Sequence, residues 1–591
     1  MTCIYRHLAA LCVLLALGAI ARGSLVAQAP SAASQTADRQ VTISIVGTND
    51  LHGGVLPRDG RGGLALLSGY VKALREARLR DGGAVLLIDG GDMFQGTLES
   101  NLSEGAAVVA AYNALGYTAA TVGNHEFDFG PAGPAATPAR PGDDPRGALK
   151  ARAAEATFPF LAANLLDEST ARPVAWPNVR PSTIVEAAGV KIGIVGVMTK
   201  EALTATIAAN VGGLRVAPLA PAIAAEAARL RSSGAAVVIV TAHAGGRCSN
   251  LAQPTDLASC DPASEIVAVA RELPPGSVDV IVAGHTHAGM AHEVEGIAII
   301  ESFATGRSFG RVDLTLDAAR RAIVDRKIFP PRDLCAREDP STGACDTAPV
   351  PASSSRVASY EGTTVLPDPS IAAVLEPALA KVRELKARPL GVNLETPIRR
   401  QASGDSPLGN LFTDALRASI AGADAAIHNT AGGLRADLPQ GPLIFGSVFE
   451  VMPFDNKVAT LRLTGAQVRT VFGTHLRSSR RTVGVSGIRV RAACSGGTLD
   501  VALSRASGAA IADDDVLTVA VTDFLATGGD GILKPVIPPG GFQIPDDAPL
   551  ARDALASYLQ GLNGPLRESQ FVDTSNPRLV LSGGLPGGCA Q

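Results

Sequence analysis

A chain of 591 residues is too long for a single hydrophobic core, so two large domains are expected. A hydrophobic fraction of 46% with 18% charged residues belongs to a globular protein. A net charge of -4 leaves no electrostatic footprint for binding a nucleic-acid polymer or an anionic membrane.

The first segment reads as a secretory leader. Arg6 and His7 precede an apolar run from Leu8 to Ile20, and Ala27-Gln28-Ala29 supplies a cleavage site. Residues 1–29 are therefore expected to be a signal peptide, with the mature chain periplasmic or secreted. The run is short for a membrane span, and the mature chain offers no transmembrane candidate. Cys3 and Cys12 leave with the leader. The six remaining cysteines lie in near pairs, Cys248 with Cys260, Cys335 with Cys345, and Cys494 with Cys589. An even count behind an export signal reads as three disulfides, although six cysteines admit many pairings.

From residue 41 the chain alternates apolar strand-like runs (41–47, 84–89, 118–122, 190–197, 236–241, 278–283, 297–302) with helical patterns (64–80, 104–115, 219–233, 263–273). This alternation predicts a layered α/β domain over 41–330. The Pro- and Gly-rich stretch 131–147 reads as a surface loop. Between 330 and 369 prolines and a serine run mark a connection, and a helix over about 370–388 follows, with Pro377 inside it as a candidate kink. Residues 331–388 thus read as a linker and connecting helix, ahead of a second α/β domain over 389–585.

Five of the apolar runs end in polar side chains of metal-ligand type: Asp50 and His52, Asp92, Asn124 with His125 and Asp128, His243, and His285 with His287. Five of the nine histidines fall here. A parallel sheet delivers the loops at the carboxyl ends of its strands to one crevice, so these ligands can converge. Asp50, His52, Asp92, Asn124, His243, His285 and His287 make two sets of four with Asp92 counted in both. Carboxylate, amide and imidazole suit zinc, manganese or iron. Two divalent cations beside two carboxylates leave a positive pocket that favours a phosphate and acidifies a bound water for in-line attack at phosphorus. His125 is next to a ligand but projects differently, so it is expected to face the substrate, oriented by Asp128. Taken singly, a strand-end Asp is usually a turn former and a lone His a structural residue. The five segments together argue for metal.

These motifs, D-x-H, G-D, G-N-H-E, H and G-H-x-H in that order, resemble the metallophosphoesterase superfamily over residues 41–316. The second half, with SPLGNLFTDAL (406–416), GGLR (432–435), VMPFDN (451–456) and DFLATGGDG (523–531), resembles the C-terminal domain of the 5'-nucleotidase family. The resemblance implies a four-layer α/β/β/α catalytic domain carrying two divalent metal ions, zinc or manganese, followed by a nucleotide-binding α/β domain. It implies that Phe454 and Phe524 stack on a base, that Asp530 meets the ribose, and that Arg435 with Arg400 (or Arg399) binds phosphate. Gly433 allows close approach. Family members place Asn five residues before the GG-x-R arginine. Here that position is Thr430, and Asn429, one residue earlier, is the candidate. The expected activity is removal of phosphate from nucleoside 5'-monophosphates. Alternatives are hydrolysis of 2',3'-cyclic nucleotides, UDP-sugars or NAD, then a thiosulfate-ester hydrolase or a non-catalytic nucleotide-binding protein. Domain rotation about the 331–388 connection is a further expectation.

Overall fold

The computed structural model describes residues 40–591 except 134, 139, 318–321, 349–353, 402–403, 478–481, 496–497, 539–540, 546–547, 583–588 and 590–591. The expected leader, Pro349 and Pro351 of the connection, and most of the C-terminal tail lie outside the described residues.

The N-terminal half is built on two stacked sheets. One runs in the order Ala322–Asp333, Ser308–Asp317, Gln40–Thr48, Ala84–Asp89, Ala119–Thr121, Phe160–Leu161, Val179–Arg180. The other runs Gly289–Val294, Ile297–Ser302, Val280–Ala283, Val237–His243, Val190–Met198, Ser182–Ala187. The central strands of each are parallel, and their near-continuous Val, Ile and Leu runs are those of strands covered on both faces. Ile43 and Ile45 from the first sheet meet Ile192, Ile194 and Ile239 from the second in a fully buried inner core. Helices Leu64–Asp81 and Ala106–Leu115 cover the outside of the first sheet through Tyr70, Leu74, Val108 and Tyr112. Helices Leu219–Ser232 and Glu265–Glu272 cover the second through Ile223, Leu230 and Ile266. This is the expected α/β/β/α order of layers.

The connection is not slack. Leu334, Ala358 and Val365 pack into the N-terminal core, and so do Ile371, Leu375 and Leu379 of the helix Pro369–Lys386. Asp368 caps that helix and accepts hydrogen bonds from Ser68 Oγ at 2.6 Å and Ser370 N at 3.0 Å. The helix runs on through Pro377. Its last buried residue, Val382, belongs to the C-terminal core instead, so one helix is shared between the two halves.

In the C-terminal half a four-stranded sheet runs Val458–Thr464, Val516–Thr522, Ala425–Asn429, Val483–Ser486. Ala425–Asn429 and Val516–Thr522 are parallel neighbours, so Asn429 and the segment after Thr522 emerge at one end of the sheet. Val458 pairs with Thr522 in antiparallel register, which brings the preceding Phe454–Asn456 to that same end. Disulfides join Cys248 to Cys260, Cys335 to Cys345 and Cys494 to Cys589. Among the described residues no helix is long and apolar enough to cross a membrane.

Candidate metal centre and adjoining cavity

Every metal-ligand candidate follows or ends a strand of the N-terminal sheets, and the structure brings all seven together. Asp50, His52, Asp92, His285 and His287 all hold the left-handed backbone conformation, with φ between 48° and 78°. Such a conformation costs a non-glycine residue about 1–3 kcal/mol and gathers at functional sites. Gly123 lets Asp92 come close, since a β-carbon there would lie 2.2 Å from Asp92 Oδ1.

Two groups share Asp92. In one, His52 Nε2 lies 2.9 Å from His287 Nε2 and 3.9 Å from Asp92 Oδ2, and Asp50 Oδ1 is 3.4 Å from His287 Nε2. In the other, His243 Nε2 lies 3.2 Å from Asp92 Oδ2, 2.9 Å from Asn124 Oδ1 and 3.2 Å from His285 Nδ1. The outer nitrogens are tied to backbone, His52 Nδ1 to the Gln95 carbonyl (2.8 Å) and His243 Nδ1 to the Gly90 carbonyl (2.9 Å). Each Nδ1 therefore carries a proton and Nε2 points inward, as in imidazoles that bind metal. Asp50 Oδ1 is buried and, among the described residues, accepts no well-formed hydrogen bond, with His287 Nε2 facing it at 3.4 Å. Inward-facing imidazole nitrogens around buried carboxylate oxygens fit a pair of cations.

The electrostatics agree with close packing of opposite charges. Burial works to raise the Asp92 carboxyl, but the adjacent His243 and His125 outweigh it and hold it well below its usual range. Burial works against the His243 cation, yet Asp92 lifts its pKa to about 10, so a metal ion binding at Nε2 would displace a proton from that atom. His52 is pushed down to about 3 by burial and by neighbouring His287. His285 falls to about 4 through burial and the charge on His243.

His125 sits beside these groups with a different outlook. Its Nδ1 is 2.6 Å from Asp128 Oδ2, and its backbone N–H donates to Asp92 Oδ1 at 2.9 Å. Burial opposes its charged form, but Asp128 and Asp92 raise it to about 9. The ring lines a cavity of about 330 Å³ together with Asp92, Asn124 and, from the C-terminal half, Arg435, Phe454 and Phe524. Gly433 and Asp530 also line it. Asn429 does not. It is buried behind the wall and donates from Nδ2 to Asp530 Oδ2 at 2.6 Å. Arg400 is not brought to the cavity either. Its guanidinium bonds Asp437 and the Leu434 carbonyl, bracing the turn that carries Arg435. Arg399 pairs with Glu568 instead. Partners distant in sequence satisfy both arginines, which their position before the PLGN motif does not reveal.

Three further residues, not among the sequence candidates, support the centre. Buried Glu126 accepts from the backbone N–H groups of Asp92, Met93 and Gly123, fixing two ligand loops. Buried Glu301 accepts from Gly246 N, Thr286 N and Thr286 Oγ1, fixing two more. An acid inside the apolar strand Ile297–Ser302 is a signal that was there to be read. Thr206 donates to Asp128 Oδ1 at 2.7 Å.

Two stacked sheets with a shared-carboxylate histidine cluster at their strand ends define a calcineurin-like phosphoesterase. That family's profile matches residues 43–289, and the profile of the 5'-nucleotidase C-terminal domain matches residues 382–535. The chain belongs to the 5'-nucleotidase family of metal-dependent hydrolases, and its fold class implies a dimetal site. It is 25% identical to a 5'-nucleotidase of Vibrio cholerae over 566 residues, covering 91% of this chain and 93% of that protein. It is 26% identical to the endonuclease YhcR of Bacillus subtilis over 566 residues, but spans only 41% of that protein's length. The crystal structure of a 5'-nucleotidase precursor from Thermus thermophilus shares the fold, with a TM-score of 0.66 at 22% identity over 92% of this chain and all of that one.

Proposed function

We propose that the chain is an exported phosphohydrolase that removes phosphate from nucleoside 5'-monophosphates. One observation carries this reading: the cavity lined by His125 and Asp92 is also lined by Phe454, Phe524 and Asp530 of the other half. In this reading Asp50, His52, Asp92 and His287 hold one cation, and Asp92, Asn124, His243 and His285 hold the other. Bound there, two divalent cations, zinc or manganese, would polarise the phosphoryl oxygens and offset the charge of the dianion.

The chain's own side chains do the rest. Arg435 grips the phosphate as a planar fork. His125, with Nδ1 held by Asp128, turns Nε2 to the leaving oxygen and stabilises or protonates it. Phe454 and Phe524 offer faces to a base, a contact that tolerates different bases. Asp530, turned by Asn429, accepts from ribose hydroxyls. Three disulfides suit an oxidising compartment and support export.

A second reading has its own support. A cavity of about 520 Å³ opens on the side of His52 and His287 and is lined by Arg58 and Lys386. Arg435 and Phe454 line both cavities. A phosphodiester or diphosphate with groups on both sides of the phosphorus would use both spaces, and one relative bears the name endonuclease. Phosphate release from AMP, measured beside UMP formation from UDP-glucose, p-nitrophenol formation from bis-p-nitrophenyl phosphate and ring opening of 2',3'-cyclic AMP to a monophosphate, with zinc, manganese or cobalt added in turn, separates the readings. Turnover of AMP supports the first. Turnover of the diesters alone moves the assignment to the second, and no turnover with any metal removes both.

A further inference from the structure

The segment 199–207, which leaves the strand Val190–Met198, touches the centre at three points. Thr199 N donates to the His243 carbonyl at 2.8 Å. The Ala205 carbonyl accepts from Asn124 Nδ2 at 3.0 Å, which turns the amide oxygen towards His243. Thr206 Oγ1 donates to Asp128 Oδ1 at 2.7 Å while Asp128 Oδ2 takes His125 Nδ1 at 2.6 Å. Thr206 is 3% exposed, so water does not compete freely for that bond.

The terminal torsion of an Asp side chain is soft and roughly two-fold, so a carboxylate held at one oxygen only can swing its plane. Held at both oxygens, it keeps one plane and fixes the ring bonded to it. We propose that Thr206 is a positioning residue for leaving-group departure: its hydroxyl locks Asp128, and Asp128 locks the His125 ring against the leaving oxygen. The hydroxyl touches neither substrate nor cation in this role. The inference rests on the reading of His125 as the group that faces the leaving oxygen.

Thr206→Val keeps the shape and removes the donor, and Thr206→Ser restores it. Outer hydrogen-bond partners that orient metal-bound histidines are worth about 10–100-fold in activity, and the Thr206–Asp128–His125 chain is placed on the same scale. Thr206→Val should lower kcat on a poor leaving group, the nucleoside of AMP, by about that factor with KM unchanged. On p-nitrophenyl phosphate, whose leaving group needs little help, the loss should be far smaller. Ser should recover most of the loss on AMP, and metal content per chain should equal wild type in both variants. Independently of turnover, the low-field imidazole N–H proton signal that disappears in His125→Ala should weaken in Thr206→Val and persist in Thr206→Ser. An equal loss on both esters, a loss of bound metal, or an imidazole signal unchanged by Val overturns the proposal. A wild-type protein that cleaves p-nitrophenyl phosphate but not AMP contradicts the nucleotide reading alone. The proton signal then still decides the role of Thr206.

Discussion

The ring of Phe454, from the C-terminal half, lies 6.3 Å from the ring of His125, from the N-terminal half, with their planes 27° apart. The guanidinium of Arg435 sits 5.0 Å from the same Phe454 ring. Beside them, Gln95 and Asn101 donate to the Pro453 carbonyl at 3.3 and 2.9 Å, and Lys386 pairs with Glu99 at 2.7 Å. The cavity is therefore a product of two folded bodies meeting, and its polar and aromatic walls come from different halves. Aromatic–imidazole contact across the seam ties the predicted base-stacking ring to the predicted phosphoryl-side histidine.

His125→Ala should lower kcat for AMP by about 10²–10⁴-fold, the usual worth of a positioned acid or base. Metal content by elemental analysis should not change, because in the proposed reading the metal-binding nitrogens belong to His52, His243, His285 and His287. A loss of metal would make His125 a ligand instead.

Phe524→Ala should weaken nucleotide binding by about 1–3 kcal/mol, the range for one base-stacking contact. Binding of p-nitrophenyl phosphate should fall far less. Steady-state KM and competitive inhibition by adenosine measure both. Equal effects would return Phe524 to ordinary packing against Gly529, whose β-carbon position lies 2.5 Å from its ring.

Burial holds the pKa of His428 down at about 4, with Asp530 acting weakly in the other direction. In the unfolded chain the same ring titrates near 6.5, so between these values the unfolded chain binds a proton that the folded one does not. Stability from this source is complete above about pH 6.5 and is lost as pH falls towards 4. Thermal melts at pH 7 and pH 5 should show wild type losing about 2 kcal/mol more than His428→Gln. Identical losses would mean that the ring is not kept neutral.

Replacing both Cys494 and Cys589 by Ala opens a closure with a sequence separation of 95 residues. A loop of that size predicts a stability loss of about 2–5 kcal/mol, read as a lower melting temperature without a change in kcat. A double variant as stable as wild type would show that the closure adds nothing to the folded half.

The strand-end ligands are legible because three constraints coincide in each segment: an apolar run, small residues, and a ligand side chain one to three positions on. Asp50, His52 and His287 meet as that logic requires. The connection reads as a linker because prolines and serines mark its composition, while the few apolar residues that dock it, Leu334, Ala358 and Val365, stand far apart in sequence. Arg400 carries the right charge near the right motif, but the carboxylate of Asp437 captures it, and that pairing has no sequence signature. Thr206 is invisible for the same kind of reason. A threonine in a loop 78 residues from Asp128 gains its role only when the fold brings the two together.

The claim at the centre is that two cations held around Asp92 serve a nucleotide seated between the halves. Its most direct measurement is phosphate release from AMP by chelator-stripped protein as manganese or zinc is added back. Activity should be absent at the start and rise to a plateau at two equivalents of metal per chain. Full activity in the stripped protein, a plateau at one equivalent, or no release from AMP at any metal level would contradict it.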